Sequence, residues 1–244
     1  TGFGHLLLLR NRKKNRIPVL VFHKIIPEFD AVWPGLHPVL FEKILILLKK
    51  HYTLRPISDL ISKDPETLKD ACFITFDDGY KDYLNHAYPI LKRHQIPNSL
   101  FVLPYQISNK VHIWTSTIIF FIKHYTFAEI KLFFQIYGIE IENYENDCFK
   151  LNLSISRHLC HLEHKRRMKI INDLRSKFIE DNRIIDNELL TFSELKNLNP
   201  RLTQVESHSF THPSFKVETD ENYIVQELKE SKEVIEKELG KEVI

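Results

Sequence analysis

Four side chains in two short segments carry the chemistry that this sequence can offer. Asp77 and Asp78 stand in Thr75-Phe76-Asp77-Asp78-Gly79, and His208 and His212 in Ser207-His208-Ser209-Phe210-Thr211-His212-Pro213. Adjacent carboxylates repel each other and resist joint ionisation unless a cation comes between them. A divalent metal resolves that conflict, and imidazoles four positions apart can turn to a common centre from one helical turn or a compact loop. Pro213 disfavours helical geometry at His212, so a loop is expected. Where a strand runs into a loop, neighbouring side chains diverge, so one acid can ligate a metal while the other acts as a base. Two imidazoles and one carboxylate leave coordination positions open, as a catalytic metal requires. Taken singly, each segment has an ordinary alternative: an Asp-Gly turn closing a hairpin, or a pair of surface histidines. Their coincidence in one chain favours the metal site.

The acids follow an apolar run, residues 72–76, which reads as a buried strand delivering them to its C-terminal mouth. Residues 18–23 read as another short buried strand, with His23 at its far end. Between them Phe41, Ile44, Leu45 and Leu48 recur at helical spacing, and a turn-rich stretch around Lys63-Asp64-Pro65 leads into the second strand. Leu84, Ala87, Tyr88 and Leu91 form the next helical stripe, interrupted by Pro89, and residues 99–103 a third strand closed by Pro104. This alternation predicts an α/β fold with parallel strands under covering helices, as a barrel or an open sheet.

From residue 105 to 190 the pattern turns helical and aromatic, notably at 114–125, 127–137 and 164–178, and reads as a helical insertion. Its Phe120, Phe121, Phe127, Phe133, Phe134 and Tyr137 are assigned to packing rather than to a sugar-stacking platform. His158, His161 and His164 share a helical face but have no carboxylate or cysteine at matching spacing, so they are not assigned to a metal. Ser193-Glu194 reads as a helix start and Val205 as a short strand leading into the histidine motif. A last helix at about 220–239 places Ile224, Leu228, Ile235 and Leu239 on one face, with Gly240 beyond its end. Residues 241–244 look like the opening of a strand without continuation, so the fold is expected to be incomplete at its C-terminal side.

Composition narrows the classes. A chain of 244 residues, 43% hydrophobic and 27% charged, can bury one sizeable core. A formal charge of +2 makes no electrostatic case for a nucleic-acid partner. The three cysteines, Cys72, Cys148 and Cys160, form no close pairing that would suggest a disulfide framework or a zinc knuckle. Leu6-Leu7-Leu8-Leu9 falls far short of the ~20 apolar residues of a spanning helix. The basic residues of segment 1–16 could touch a membrane surface, although a solvated terminus is the preferred reading. No signal peptide is visible in a chain that opens on Thr1, which leaves an envelope-associated and a cytoplasmic location both open. Oligomeric state is not legible.

The two motifs resemble those of the polysaccharide deacetylases, carbohydrate esterases that share the NodB-homology domain. The match rests on Thr75-Phe76-Asp77-Asp78-Gly79 and His208-Ser209-Phe210-Thr211-His212-Pro213, each after an expected strand. It extends loosely over residues 17–244 as one domain, with the insertion at 105–190 its least family-like part. The resemblance implies a deformed (β/α) barrel, and that Asp77 is the general base while Asp78, His208 and His212 hold a divalent metal, usually zinc. It implies an N-acetylated sugar of an envelope polysaccharide or its precursor as substrate, with acetate released. The segment Val19-Leu20-Val21-Phe22-His23-Lys24 is similar to one in a circularly permuted branch that carries its catalytic acid near the N-terminus, which makes His23 the candidate acid. The arginine-proline-aromatic and aspartate-tryptophan motifs of the family have no counterpart before Ile244, and Glu206 stands where glycine is common. Two alternatives share the same residues: a non-catalytic carbohydrate-binding relic, and a metal hydrolase of peptidoglycan or of O-acetyl esters.

Overall fold

The computed structural model describes residues 17–181 and 189–244. The basic segment 1–16 and its membrane assignment lie outside the described residues, as does the stretch 182–188 of the helical insertion.

The fold grows from the apolar run ahead of the two acids. Strand β1 (Val19–Phe22) is followed by helix α1 (Pro38–His51), strand β2 (Thr53–Arg55), the short helix α2 (Asp59–Ser62) and a 3-10 turn at Pro65–Leu68. Strand β3 (Ala71–Phe76) comes next, and all six of its residues are buried. A continuous Ala-Cys-Phe-Ile-Thr-Phe run suits a central parallel strand covered on both faces. β3 pairs in parallel with β1, with β2 and with β4 (Asn98–Val102), and β4 pairs in parallel with β5 (Thr203–Ser207). Among the described residues the path β1-β3-β4-β5 does not close on itself, and the fold is a parallel sheet with covering helices, of the expected α/β kind.

Local chemistry sets several element ends. Pro89 has no N–H to return to the carbonyl four residues earlier. The chain answers with a π turn at Tyr83–Ala87, in which the Tyr88 amide donates to the Tyr83 carbonyl, before helix α3 (Tyr88–His94) resumes regular geometry. After β4 come α4 (Pro104–Asn109), α5 (Trp114–His124), α6 (Phe127–Gln135), α7 (Cys148–Cys160) and α8 (His164–Glu180). Phe121, Phe134, Ile155 and Leu174 are fully enclosed among these helices. The sheet packs a second core of its own with Phe41, Leu45, Phe76 and Leu100. The three cysteines are free thiols. No helix among the described residues is long and apolar enough to cross a membrane.

Four expectations are corrected. β1 is not buried: Val19 and Val21 are 44% and 53% exposed, because β1 ends the strand path and only its Leu20 and Phe22 face reaches the core. Helix α9 (Phe192–Lys196) starts one residue ahead of Ser193 and is capped by Thr191, in a reciprocal box with Glu194. The last helix, α10 (Glu221–Leu239), turns Glu227, Ser231 and Ile235 inward while Leu228 stays half exposed. Its inner face is therefore partly polar, and the hydrophobic stripe misplaces it. Residues 241–244 form no strand: Val243 is buried, and the Ile244 amide donates to the Glu206 carboxylate at 2.9 Å.

Candidate metal centre

Strand register gathers the chemistry at one edge of the sheet. Phe22 is level with Phe76, and Val102 with Ser207, so His23, Asp77 and His208 each stand one residue beyond a paired strand end. The Asp77 amide donates to the Phe22 carbonyl, and the His208 amide to the Val102 carbonyl, both at 2.9 Å. The carboxyl ends of parallel strands are where α/β folds hold their ligands.

Immediately after β3 the backbone turns sharply. Asp78 adopts φ 74° and Gly79 φ 77°, the left-handed region that aspartate tolerates and glycine prefers. A side chain at Gly79 would meet Val102 Cγ1 at 3.0 Å, so the turn can press against β4 only because that position is glycine. The turn splits the two acids: Asp78 goes inside, 3% exposed, while Asp77 stays at the mouth. The second motif is a loop, as Pro213 predicts, with left-handed residues at Ser209 (φ 74°) and His212 (φ 64°).

These turns converge on one point. His208 Nε2 lies 3.4 Å, and His212 Nε2 3.6 Å, from Asp78 Oδ1. Among the described residues this trio is the cluster able to enclose a metal ion, with one donor atom from each residue within 4.8 Å of the others. Asp78 Oδ1 is buried and accepts no hydrogen bond. Burial, and then the charge of Asp77, lift the Asp78 carboxyl to about 7. Burial, and then His208, push His212 down to about 3, and burial lowers His208 as well. Burial thus disfavours the charged form of both imidazoles and of the acid between them, and none of the three has a counter-charge within the trio. Donor set and electrostatics both fit a divalent cation.

His23 Nε2 lies 3.6 Å from Asp77 Oδ2 at the open side of the centre. The His23 end of β1 is held by the Ile25 amide, which donates to Asp82. Trp33 meets the His23 ring edge-on at 6.4 Å and the Tyr80 ring at 5.3 Å. In front of the centre lies a cleft of about 560 Å³, whose walls include His23, Trp33, Asp78 and His212, with Phe149 and Leu153 of α7 opposite.

Sequence reasoning missed several supports. Glu227 of α10 accepts from the Phe210 and Thr211 amides at 2.9 and 2.8 Å and from the Thr211 hydroxyl at 2.5 Å. On the opposite side Gln106 donates to the Thr211 carbonyl at 3.0 Å, and Trp114 Nε1 to the His212 carbonyl at 3.3 Å. Nothing local in the sequence marks these residues; a glutamate on the apolar face of a helix is the nearest to a signal. His158 and His161 donate to carbonyls of their own helix, and His164 contacts Arg167; the three do not converge on an acid.

The chain is similar to known proteins in sequence and in fold. The family model of polysaccharide deacetylases matches residues 64–143, a stretch that contains the Asp77-Asp78-Gly79 turn. The Bacillus subtilis (strain 168) protein named "Putative polysaccharide deacetylase YxkH" is 27% identical over 153 residues, 59% of this chain and 47% of that protein. The chain therefore spans about half the length of this curated relative. Among solved structures, the Streptococcus pyogenes deacetylase PplD in complex with acetate matches with a TM-score of 0.56 and 16% identity, covering 93% of this chain and 71% of its own. IcaB from Ammonifex degensii matches with a TM-score of 0.54 and 13% identity, with the same coverages. At these identities the two structures establish a shared fold.

Proposed function

The chain is a relative of the polysaccharide deacetylases of NodB type, and on that footing we propose that it hydrolyses the N-acetyl amide of an amino sugar in an envelope polysaccharide or its precursor. The observation that carries this reading is the convergence of both imidazoles on a buried, donorless Asp78 oxygen, with His23 lining the adjoining cleft and Asp77 Oδ2 3.6 Å from its Nε2.

Asp78, His208 and His212 would hold a divalent metal, and two imidazoles with one carboxylate are a donor set that catalytic zinc accepts. When bound, such a metal polarises the acetamide carbonyl and acidifies a water. Asp77, at the mouth and excluded from the trio, takes the proton of the attacking water as the new C–O bond forms. His23 then gives a proton to the amide nitrogen as the C–N bond breaks, releasing acetate and the free amine. Trp33 and the α7 wall of the cleft support a ring-shaped substrate, since aromatic faces pack well against the apolar faces of a ring.

The test is zinc content together with acetate release from N-acetylglucosamine oligomers, for wild type, His208→Ala and Asp77→Asn. We expect about one zinc per wild-type chain, lost in His208→Ala. Asp77→Asn should keep the metal and lose about 10²–10⁴-fold in rate. Zinc without acetate release from any acetylated sugar would sink the enzyme in favour of a carbohydrate-binding relic. Acetate released only from O-acetyl substrates would reassign the bond.

A further inference from the structure

His212 poses a problem of orientation. A metal-binding histidine is ordinarily fixed by a hydrogen bond from its other ring nitrogen to a carboxylate, carbonyl or water. Here Nδ1 of His212 is buried and has no protein partner. The residue also sits at φ 64°, a backbone region that non-glycine residues occupy only when their surroundings hold them there.

What faces the ring instead is Trp114, the first residue of α5. Its ring lies 6.2 Å from the His212 ring with the planes 30° apart, and its Nε1 donates to the His212 carbonyl at 3.3 Å. One contact thus governs both the plane of the imidazole and the strained peptide that carries it. Behind Trp114 stands Arg167 of α8, wholly buried, with its guanidinium carbon 5.3 Å from the centre of the indole ring. Arg167 makes no ion pair with a carboxylate among the described residues. Its Nη1 donates to the Leu162 carbonyl at 3.2 Å, Nη2 meets His164 Nδ1 at 3.3 Å, and Nε has no partner. A buried cation so sparsely compensated is costly. The charges of Glu218 and Glu227 act on it from a distance, and the indole face is a direct partner, a desolvated guanidinium over tryptophan being the strong form of that contact.

We infer that Trp114, clamped by Arg167, is the positioning residue for His212, so that the helical region between β4 and β5 holds one ligand of the metal centre in place. The layers run Arg167, Trp114, His212, Asp78, from the interior of the helices to the mouth of the sheet. This rests on the functional reading only in taking Asp78, His208 and His212 as the metal ligands.

The experiment measures zinc affinity by chelator competition and the visible spectrum of the cobalt-substituted chain, with circular dichroism on each variant. Trp114→Leu removes the aromatic face and the donor, and should weaken zinc binding about 10–100-fold and change the cobalt bands. Trp114→Phe keeps a face without the donor and should fall between Trp114→Leu and wild type. Arg167→Met should weaken binding in the same direction, and Arg167→Lys should restore part of it. A correctly folded Trp114→Leu with wild-type zinc affinity and an unchanged cobalt spectrum overturns the inference. Should Trp114→Leu fail to fold, the same two readings on Trp114→Phe and Arg167→Met decide, and unchanged values in both overturn it. His208→Ala separates the layers of the claim: if wild type binds no better than that variant, the metal reading itself fails and takes this inference with it. A wild type that binds zinc alongside unaffected Trp114 and Arg167 variants fails this inference alone.

Discussion

Asp78 and His212 pull the stability of the metal-free fold in opposite directions as pH changes. Burial raises the Asp78 carboxyl from 3.8 to about 7. Between those values the folded chain keeps a proton that the unfolded chain has lost, so Asp78 costs stability as pH rises. Burial lowers His212 from 6.5 to about 3. Between those values the unfolded chain holds the extra proton, so His212 adds stability as pH rises, and His208, also lowered, acts in the same sense. Over roughly pH 4 to 6.5 the opposing contributions offset one another. In the presence of a chelator, Asp78→Asn should therefore gain stability between about pH 4.5 and 6.5 more steeply than wild type. Urea midpoints at the two pH values read this directly, and equal slopes would show that the buried carboxyl is ionised without metal. At this scale the sequence supplied the residue types, while their spacing left open which acid turns inward. The positive φ at Asp78 decides that, because it sends one carboxyl into the core and leaves its neighbour at the mouth.

Elements position these residues through contacts of very different sequence range. β3 and its turn are local: an apolar run, two acids and a glycine suffice to define them. The histidine loop is held instead by α10, whose Glu227 accepts two amides and a hydroxyl from Phe210 and Thr211. Glu227→Leu leaves these part-buried donors without their acceptor, and should destabilise the fold by about 3 kcal/mol while weakening zinc binding. Chemical denaturation together with chelator competition checks both effects; a variant as stable as wild type would mean that the loop holds its own shape. The same element exposes why the hydrophobic stripe misassigned α10. Its inner face carries Glu227 and Ser231 because it packs on a polar loop, and Leu228 is consequently turned outward. Thr191 and Glu194, by contrast, form a capping box spaced as sequence rules describe, and the helix starts one residue ahead of the Ser193 expected from sequence.

At the scale of the molecule, the described residues bury two apolar cores. One belongs to the sheet and its helices, and the other to the helices between β4 and β5, where Phe121 is fully buried. Phe121→Ala should cost about 3–5 kcal/mol by the cavity it leaves. Because α5 carries Trp114 at its start and Phe121 in its middle, that loss should also lower zinc affinity, although the substitution lies outside the ligand set. Urea unfolding with and without zinc separates the two: zinc should raise the midpoint of wild type by a larger margin than that of Phe121→Ala. An identical zinc-induced gain in both chains would show that the helical core is uncoupled from the metal.

The sequence by itself determined the α/β alternation, the buried central strand, the Asp-Asp-Gly turn and the loop character of the histidine motif. Each of these depends on residues within a few positions of one another, where steric and hydrogen-bonding rules act directly on the chain. Only the tertiary structure decided that β1 is a half-exposed strand at the end of the path, that Asp78 is the inward acid, and that Glu227, Gln106 and Trp114 brace the ligand loop. Those facts depend on groups brought together from distant parts of the chain, and their energies come from burial and unpaired polar atoms, which exist only once the elements have packed.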